Sequence, residues 1–384
     1  MKLIRQADIY APEHLGIKDI LIEGNRIAKI SDHLDEYAAL SDIEIIEADG
    51  KILVPGYIDL HEHITGGGGE GGPSTRVPEA PLSCLVESGV TTVVGLLGTD
   101  GITRSIENLL AKARSFEEAG ITCRILTGSY GYPSVTLTGS VERDILLIDL
   151  VVGVKTAASD HRSSNITSQE LIRLATDARR GGMLGGKPGY VTVHMGSGKA
   201  ALEPLFEAVE NSDLPMQIIQ PTHMGRTEQL LEQGIKWIGM GGNIDITAGE
   251  DAEGNRLTAD KVIRVFEHGG EDNVTVTSDG FGSMPKFNDK QELIGLTYST
   301  PKSLHQLLKI MVREKNVPLE KALKPLTSNP AHVLAMHDRK GHISAGYDAD
   351  MIIYNENMDI STVFAKGAFA VKEGKAVLKG KFEE

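Results

Sequence analysis

Two histidines separated by one residue, His61 and His63, end a short apolar segment in the first fifth of the chain. Side chains at positions i and i+2 of a β-strand lie on the same face, so the two imidazoles are predicted to point in the same direction. Two imidazoles at this spacing can bind one zinc ion. A His-x-His pair also occurs without a metal, so the metal interpretation depends on whether the chain supplies further ligands.

Three further candidate ligands directly follow other apolar, β-rich segments. They are His194, His223 and Asp279. A lone histidine after an apolar strand is more often a structural residue than a ligand. Four histidines and an aspartate at the ends of such strands favour a metal centre instead, because functional residues of barrel enzymes come from the C-terminal ends of several strands.

Lys155 lies at the end of the apolar segment 150–155, which reads Leu-Val-Val-Gly-Val-Lys. A lysine is almost never fully buried without a partner, because an isolated buried charge is costly. Two interpretations remain. Either a carboxylate pairs with the ammonium group, or the amine has reacted with CO₂ to form a carbamate, an anionic oxygen ligand that can bridge two metal ions. The nearby candidate ligands favour the carbamate.

Eight short apolar segments, most of them separated by helical patterns such as 103–119 and 169–180, would position these side chains. They lie near residues 53–60, 90–97, 122–128, 150–156, 190–195, 216–221, 243–247 and 274–278. Eight parallel strands with intervening helices predict an α/β fold of the (β/α)8 TIM-like barrel type. A doubly wound parallel sheet is the structural alternative.

Both ends of the chain are instead rich in short strands and turn signals, including a predicted hairpin over residues 19–30. We expect the two ends to pair into one small β-sandwich domain. The predicted boundaries are therefore 1–54 for the N-terminal part of this domain, 55–335 for the catalytic barrel and 336–384 for the C-terminal part.

The composition excludes several classes of partner. The net charge of −14 argues against a nucleic-acid-binding surface. No apolar stretch approaches the ~20 residues of a membrane span, so we expect no membrane partner. The chain has only Cys84 and Cys123 as cysteines, and its start lacks the apolar run of a signal peptide. A reduced, cytoplasmic location is expected.

The candidate ligands resemble the metal set of the binuclear amidohydrolases, and flanking segments narrow the resemblance to the isoaspartyl (β-aspartyl) dipeptidase family. The similarity extends over nearly the whole chain. The segments that carry it are Ile64-Thr65-Gly66-Gly67-Gly68-Gly69-Glu70, Gly95-Leu96-Leu97-Gly98-Thr99-Asp100, Thr127-Gly128-Ser129-Tyr130, Ser159-Asp160-His161-Arg162 and Thr277-Ser278-Asp279-Gly280.

The resemblance implies two Zn²⁺ ions per subunit, bridged by N6-carboxylysine at Lys155 and by a hydroxide. The implied ligands are His61, His63 and Asp279 for one ion, and His194 and His223 for the other. Asp279 is also implied to act as general base and then general acid. The family's assemblies imply a higher homo-oligomer.

The same resemblance implies the contacts of a small-molecule substrate. Glu70 would bind the substrate's α-amino group, and Arg162 and Arg226 its carboxylates, because planar guanidinium groups suit bidentate carboxylate binding. Tyr130 would donate to the scissile carbonyl oxygen. The remaining implied contacts are Gly68, Thr99 and Ser283.

The sequence therefore predicts a zinc-dependent metallo-dipeptidase that hydrolyses the β-aspartyl amide bond of dipeptides. A cyclic-amide hydrolase of the dihydroorotase or hydantoinase kind is the alternative with the same metal set, but a cyclic amide offers no free amine to Glu70. Deacetylases often lack the bridging lysine. A non-catalytic scaffold with this fold should lack at least one ligand, and all six positions are filled here.

Overall fold

The N-terminal segment consists mainly of strands built around β1. The computed structural model describes residues 1–288, 290 and 292–383. The first elements are β1 (Lys2–Tyr10), β2 (His14–Glu23), β3 (Arg26–Ser31), α1 (Asp35–Ala38), β4 (Glu44–Glu47) and β5 (Ile52–Pro55). β1 pairs antiparallel with β2 and parallel with both β4 and β5. β2 and β3 form the predicted hairpin.

Six parallel strands follow, with a helix between each pair of neighbours. They are β6 (Tyr57–Glu62), α2 (Leu82–Glu87), β7 (Val90–Gly95), α3 (Ile106–Ala119), β8 (Thr122–Gly128), α4 (Val141–Leu147), β9 (Val151–Ala158), α5 (Ser168–Gly185), β10 (Tyr190–Met195), α6 (Glu203–Glu210) and β11 (Ile219–Thr222). The order of the strands in the sheet is their order in the chain, as expected for successive βα units.

The βα pattern continues for two more strands. These elements are α7 (Glu228–Gly239), β12 (Ile244–Thr247), α8 (Ala252–Glu267) and β13 (Val274–Thr277). β12 and β13 form a parallel pair of their own. A parallel bridge between Glu62 and Gly280 links the segment after β13 to the end of β6. The strands form a curled parallel half-barrel, whose C-terminal strand ends share one rim.

The first predicted strand, 53–60, is divided between two sheets. β5 pairs with strands of the chain ends, whereas β6 begins the parallel sheet. Gly56 separates the two strands and passes close to β7, because a Cβ at this position would come within 2.3 Å of Thr91 Oγ1. The apolar pattern continues across the break, so it did not indicate where the chain changes sheets.

An antiparallel hairpin follows the last parallel strand. It consists of β14 (Ser283–Phe287) and β15 (Leu293–Tyr298), and no sequence pattern predicted it. Three helices come next, α9 (Lys302–Arg313), α10 (Leu319–Leu323) and α11 (Ser328–Val333). None of the helices in the described part of the chain combines the length and the apolar composition that a membrane span requires.

The C-terminal strands extend the sheet that the N-terminal segment begins. They are β16 (Met351–Tyr354), β17 (Ile360–Ala365), β18 (Ala368–Lys372) and β19 (Lys375–Ala376). β16 pairs antiparallel with β5, so both chain ends share one sheet, as predicted. The nine strands form a single hydrogen-bonded sheet, ordered β19-β18-β17-β16-β5-β1-β2-β3 with β4 also on β1.

Candidate active site

One cluster of candidate ligands joins the ends of β6 and β13. Asp279 Oδ1 lies 3.3 Å from His61 Nε2 and 3.0 Å from His63 Nε2. All three side chains are buried, and their candidate ligand atoms lie within 4.8 Å of one another. Zinc binds nitrogen and oxygen ligands at ~2.0–2.2 Å, so one ion could contact all three residues after small side-chain movements.

A second group lies beside the first. The ring centroids of His194, at the end of β10, and His223, after β11, are 4.4 Å apart, and the His223 ring lies 5.1 Å from that of His61. His223 and Asp279 both have left-handed backbone conformations, with φ of 66° and 50°. Such conformations are uncommon for residues other than glycine and cluster at functional sites.

Lys155 extends from β9 between these groups and is fully buried. Its Nζ atom lies 3.0 Å from His61 Nε2, and no carboxylate oxygen of the described residues lies within 4.0 Å of it. Burial lowers the pKa of the Lys155 amine from its ordinary value to about 7. The described structure therefore contains no ion pair that would explain a buried ammonium group at this position.

The donor atoms of these side chains fit a divalent metal. Three buried atoms have no hydrogen-bond partner among the described residues: His63 Nδ1, His223 Nε2 and Asp279 Oδ1. Asp279 Oδ1 lies close to His61 and His63, but these contacts are ion pairs only if an imidazole is protonated. Burial lowers the pKa of His61, His194 and His223 well below the usual value. Neutral imidazoles are the form that binds metals, and metal ligation would satisfy the unpartnered atoms of His223 and Asp279.

Glu70 lies on the other side of the site, in the loop between β6 and α2. Ser283 Oγ donates to Glu70 Oε2 over 2.8 Å, and Thr99 Oγ1 donates to Oε1 over 3.2 Å. Arg162 Nη1 lies 3.5 Å from the same Oε1 atom. The loop needs glycine at Gly68, where φ is 82° and a Cβ would come within 2.6 Å of a backbone oxygen. The glycine-rich loop thus delivers a carboxylate to the rim.

Tyr130 and the two arginines border the histidines. The Tyr130 hydroxyl lies 2.7 Å from His194 Nδ1, and the Arg162 guanidinium lies over the Tyr130 ring at 5.3 Å. Burial raises the pKa of Tyr130 above its usual value, so its hydroxyl stays protonated and can donate. Arg226 Nη1 donates to the backbone oxygen of Met195 over 2.7 Å.

All predicted site residues lie at this rim, but they divide into three sets. A cavity of about 440 Å³ is lined by Tyr130, Arg162, His194, Arg226, Asp279 and Ser283. A neighbouring recess is lined by Gly68, Glu70 and Thr99. The remaining candidates are buried: Lys155 within β9, and His61, His63 and His223 at or just after the ends of β6 and β11. Hydrogen bonds of Glu70 connect the recess to the cavity.

The sequence prediction omits one residue of the site, Asp160. Its side chain contacts both Arg162 and His194. The only local signal is a carboxylate two residues before a candidate arginine. The contact with His194 joins residues 34 positions apart, which no sequence spacing indicates.

Comparisons with known proteins agree with this arrangement. The amidohydrolase family model matches residues 52–380. A crystal structure of β-aspartyl dipeptidase from Fervidobacterium islandicum AW-1, in complex with β-Asp-Leu, is 46% identical, with a TM-score of 0.92 and 98% of each chain covered. The predicted resemblance to this family is thereby confirmed.

More distant proteins share the fold or part of the sequence. A D-hydantoinase from a Thermus species is 15% identical, with a TM-score of 0.68, and the match covers 100% of this chain and 98% of that one. A dihydroorotase from Staphylococcus epidermidis is 33% identical over 109 residues, which are 28% of this chain and 24% of the dihydroorotase. The match thus spans about a quarter of that enzyme's length.

Proposed function

The chain belongs to the amidohydrolase family, and on this premise we propose that it is a zinc-dependent dipeptidase that hydrolyses the β-aspartyl amide bond. The observation that carries the proposal is the position of Glu70. Its carboxylate lies within hydrogen-bonding distance of Ser283 and 3.5 Å from Arg162, and both of these residues line the cavity that Asp279 also lines. A substrate with a free amine, a carboxylate and an amide bond would match these three features. The relative bound to β-Asp-Leu supports the same substrate class.

We infer that the site holds two zinc ions. His61, His63 and Asp279 would bind one ion, His194 and His223 the other, and a carboxylated Lys155 would lie between them. The unpartnered buried atoms of His223 and Asp279 support these assignments, and so does a buried Lys155 with no carboxylate of the described residues within 4.0 Å. When bound, the zinc ions would supply a hydroxide near neutral pH and polarise the scissile carbonyl.

The polar residues of the rim would orient the dipeptide. Glu70 would accept from the α-amino group of the aspartyl residue, and Arg162 and Arg226 would bind carboxylates by charge-assisted hydrogen bonds. An α-linked dipeptide does not present both an α-amine and an α-carboxylate beside the scissile bond. The enzyme would therefore select the β-linkage, because an unmatched charged group in the site would lose its hydration without a partner.

Two residues would handle the charge and the proton of the reaction. Asp279 lines the cavity and would take a proton from the attacking water and return it to the departing amine, acting first as general base and then as general acid. The Tyr130 hydroxyl would donate to the carbonyl oxygen as negative charge develops there. The products would be aspartate and the second amino acid.

We also propose that the parallel strands close into a complete (β/α)8 barrel over residues 55–335, with residues 1–54 and 336–384 forming the accessory β domain. Two contacts support closure. Met224, after β11, donates its backbone N–H to Asp245 of β12, and Glu62 bridges to Gly280. Closure would hold the ligands from both halves of the rim around one centre.

The test compares hydrolysis of β-Asp-Leu, α-Asp-Leu and dihydroorotate by protein purified with zinc and bicarbonate. We expect cleavage of β-Asp-Leu alone. In Glu70→Gln, which keeps the shape but not the charge, kcat/KM for β-Asp-Leu should fall by roughly 10–100-fold, the value of a charge-assisted hydrogen bond. Zinc content should not change. Turnover of dihydroorotate without β-Asp-Leu cleavage would refute the dipeptidase assignment.

A further inference from the structure

Asp160 is a buried carboxylate at the rim that none of the proposed steps uses. It follows β9 directly and is 6% exposed. Its Oδ1 accepts from Arg162 Nε over 3.0 Å and from the Arg162 backbone N–H over 2.9 Å. Its Oδ2 accepts from Arg162 Nη2 over 2.8 Å and lies 3.0 Å from His194 Nε2. One carboxylate therefore contacts both a candidate substrate-binding arginine and a candidate metal ligand.

The backbone around Asp160 leaves little room for it to move. Ser159 has a left-handed conformation, with φ of 52°, and its carbonyl oxygen accepts from the Gly198 N–H over 2.6 Å. A Cβ on Gly196 would lie 2.5 Å from the Cα and Cβ atoms of Asp160, and one on Gly198 would lie 2.4 Å from the Ser159 oxygen. The turn after β9 is thus pressed against the loop that follows β10, the strand that carries His194.

These contacts define which nitrogen of His194 can bind a metal. An ionised carboxylate only accepts hydrogen bonds, so Nε2 must carry the proton that it donates to Asp160. Nδ1 then carries the ring's one available lone pair, which accepts from the Tyr130 hydroxyl at 2.7 Å and which a metal ion would take in place of that hydrogen bond. Arg226 Nη1 lies 3.1 Å from His194 Nε2, but two N–H donors cannot form a hydrogen bond with each other. Arg226 Nη1 donates to the backbone oxygen of Met195.

We propose that Asp160 is a positioning residue that orients His194 for metal binding through Nδ1 and at the same time holds the Arg162 guanidinium in place for the substrate's carboxylate. This inference rests on the proposed function. Carboxylates that accept from the second nitrogen of a metal-binding histidine orient its ring and raise its basicity. Here the same carboxylate also fixes a substrate contact, so one side chain couples metal binding to substrate binding.

The test is Asp160→Asn, which preserves size but offers a single acceptor oxygen, so it cannot hold both His194 and a bidentate Arg162. We expect zinc affinity at the site that His194 would bind to fall by roughly 10–100-fold, the usual cost of losing such a partner. Zinc content after dialysis against chelator-buffered zinc measures this without any turnover. KM for β-Asp-Leu should rise about tenfold, because a freed Arg162 loses its pre-organised orientation.

Two variants separate the parts of the proposal. Asp177→Asn is the matched control, since it removes a carboxylate paired to Arg180 on the surface of α5, and it should behave like the wild type. Arg162→Gln should raise KM but leave zinc affinity unchanged, because Asp160 still holds His194. If Asp160→Asn does not fold, Asp160→Glu replaces it, and its longer side chain in the tight turn should also weaken zinc binding.

Wild-type zinc affinity in a folded Asp160 variant would overturn the proposal, even if KM rises. An equal loss of zinc in Arg162→Gln would also overturn it, because the effect would then not run through His194. These outcomes differ from a failure of the dipeptidase assignment. In that case the wild type would bind zinc without cleaving β-Asp-Leu, and the zinc affinities would still decide the role of Asp160.

Discussion

Two lysines of the described residues are buried, Lys155 in the parallel sheet and Lys340 in the segment between α11 and β16. Lys340 Nζ lies 3.0 Å from Asp348 Oδ2 and also bonds to Asp350. Lys155 Nζ instead faces His61 at 3.0 Å, with no described carboxylate within 4.0 Å. Both side chains are buried, but among the described residues only Lys340 has carboxylates close enough to form ion pairs.

The presence or absence of a carboxylate partner distinguishes a structural lysine from a reactive one. A buried cation is tolerated when carboxylates neutralise it. Asp348 and Asp350 neutralise Lys340 in this way. An uncompensated amine is more stable in the neutral form. A neutral amine is also the form that attacks CO₂, so the surroundings of Lys155 favour the carbamate that the proposed metal centre requires.

Removing Lys155 should have the largest effect, and it should be on activity. Lys155→Ala would delete the proposed ligand between the two metal ions, so we expect kcat/KM for β-Asp-Leu to fall roughly a thousandfold or more, comparable to the loss of a principal catalytic group. Added acetate should restore part of the activity, because it can supply a carboxylate in the space left behind. Activity near the wild-type level without acetate would exclude Lys155 from the metal centre.

Lys340→Met should show the opposite pattern, with a loss of stability but not of chemistry. It leaves Asp350 buried without its cation and Asp348 with only the exposed Arg26 as a partner, and breaking a buried ion pair in this way costs about 3–5 kcal/mol. The free energy of unfolding in denaturant measures this loss. The folded fraction should keep wild-type KM and zinc content, since the substitution is remote from the rim. A catalytic defect in fully folded Lys340→Met would contradict a purely structural role for Lys340.

The stability of the protein should depend on pH through Lys155. In metal-free, CO₂-free protein the pKa of Lys155 is about 7, against 10.5 ordinarily. Between these values the unfolded chain binds a proton that the folded chain does not, so stability rises with pH above 7, and below 7 the full cost of burying the charge is present.

The gain from pH 7 to pH 9 should be about 2 kcal/mol, at 1.36 kcal/mol per unit once the amine is neutral. Denaturant unfolding of the wild type and of Lys155→Met at each pH isolates this contribution, which the variant should lack. Parallel pH profiles for the wild type and Lys155→Met would mean that the Lys155 amine is not destabilised by burial.

The contrast between the lysines also explains what the sequence could predict. Lys155 lies in the apolar segment 150–155, within β9 (Val151–Ala158), so its burial follows from the strand pattern. Lys340 lies in a polar connection where nothing in the sequence indicates burial, and its partners Asp348 and Asp350 become close only through the fold. The strand ends that carry the candidate ligands were also predictable from the apolar pattern, because the apolar segments end where the rim begins.

The features that sequence patterns missed depend on contacts between distant segments. The break at Gly56 reflects a close approach to Thr91, and the role of Asp160 reflects the packing of two loops at Gly196. The β14–β15 hairpin has no alternating pattern strong enough to mark it, with exposed apolar residues on β15. These contacts depend on which segments pack against each other, whereas an apolar pattern indicates only which side chains are buried.

The smallest expected effect concerns Arg26, the second cation near Asp348. Its Nη1 atom lies 2.9 Å from Asp348 Oδ1, but its side chain is 42% exposed. Exposed ion pairs contribute about 0–1 kcal/mol, so Arg26→Ala should lower the free energy of unfolding by no more than about 1 kcal/mol while Lys340 remains.

In the Lys340→Met background the same change should cost more, because Arg26 is then the remaining cation beside Asp348, and contacting charges are not additive. Unfolding free energies of the two single variants and the double variant measure this coupling. A loss above about 3 kcal/mol from Arg26→Ala alone would mean that Arg26, rather than Lys340, neutralises Asp348. Lys340 would then be less completely compensated than its distances indicate, and its contrast with Lys155 would rest on Asp350 alone.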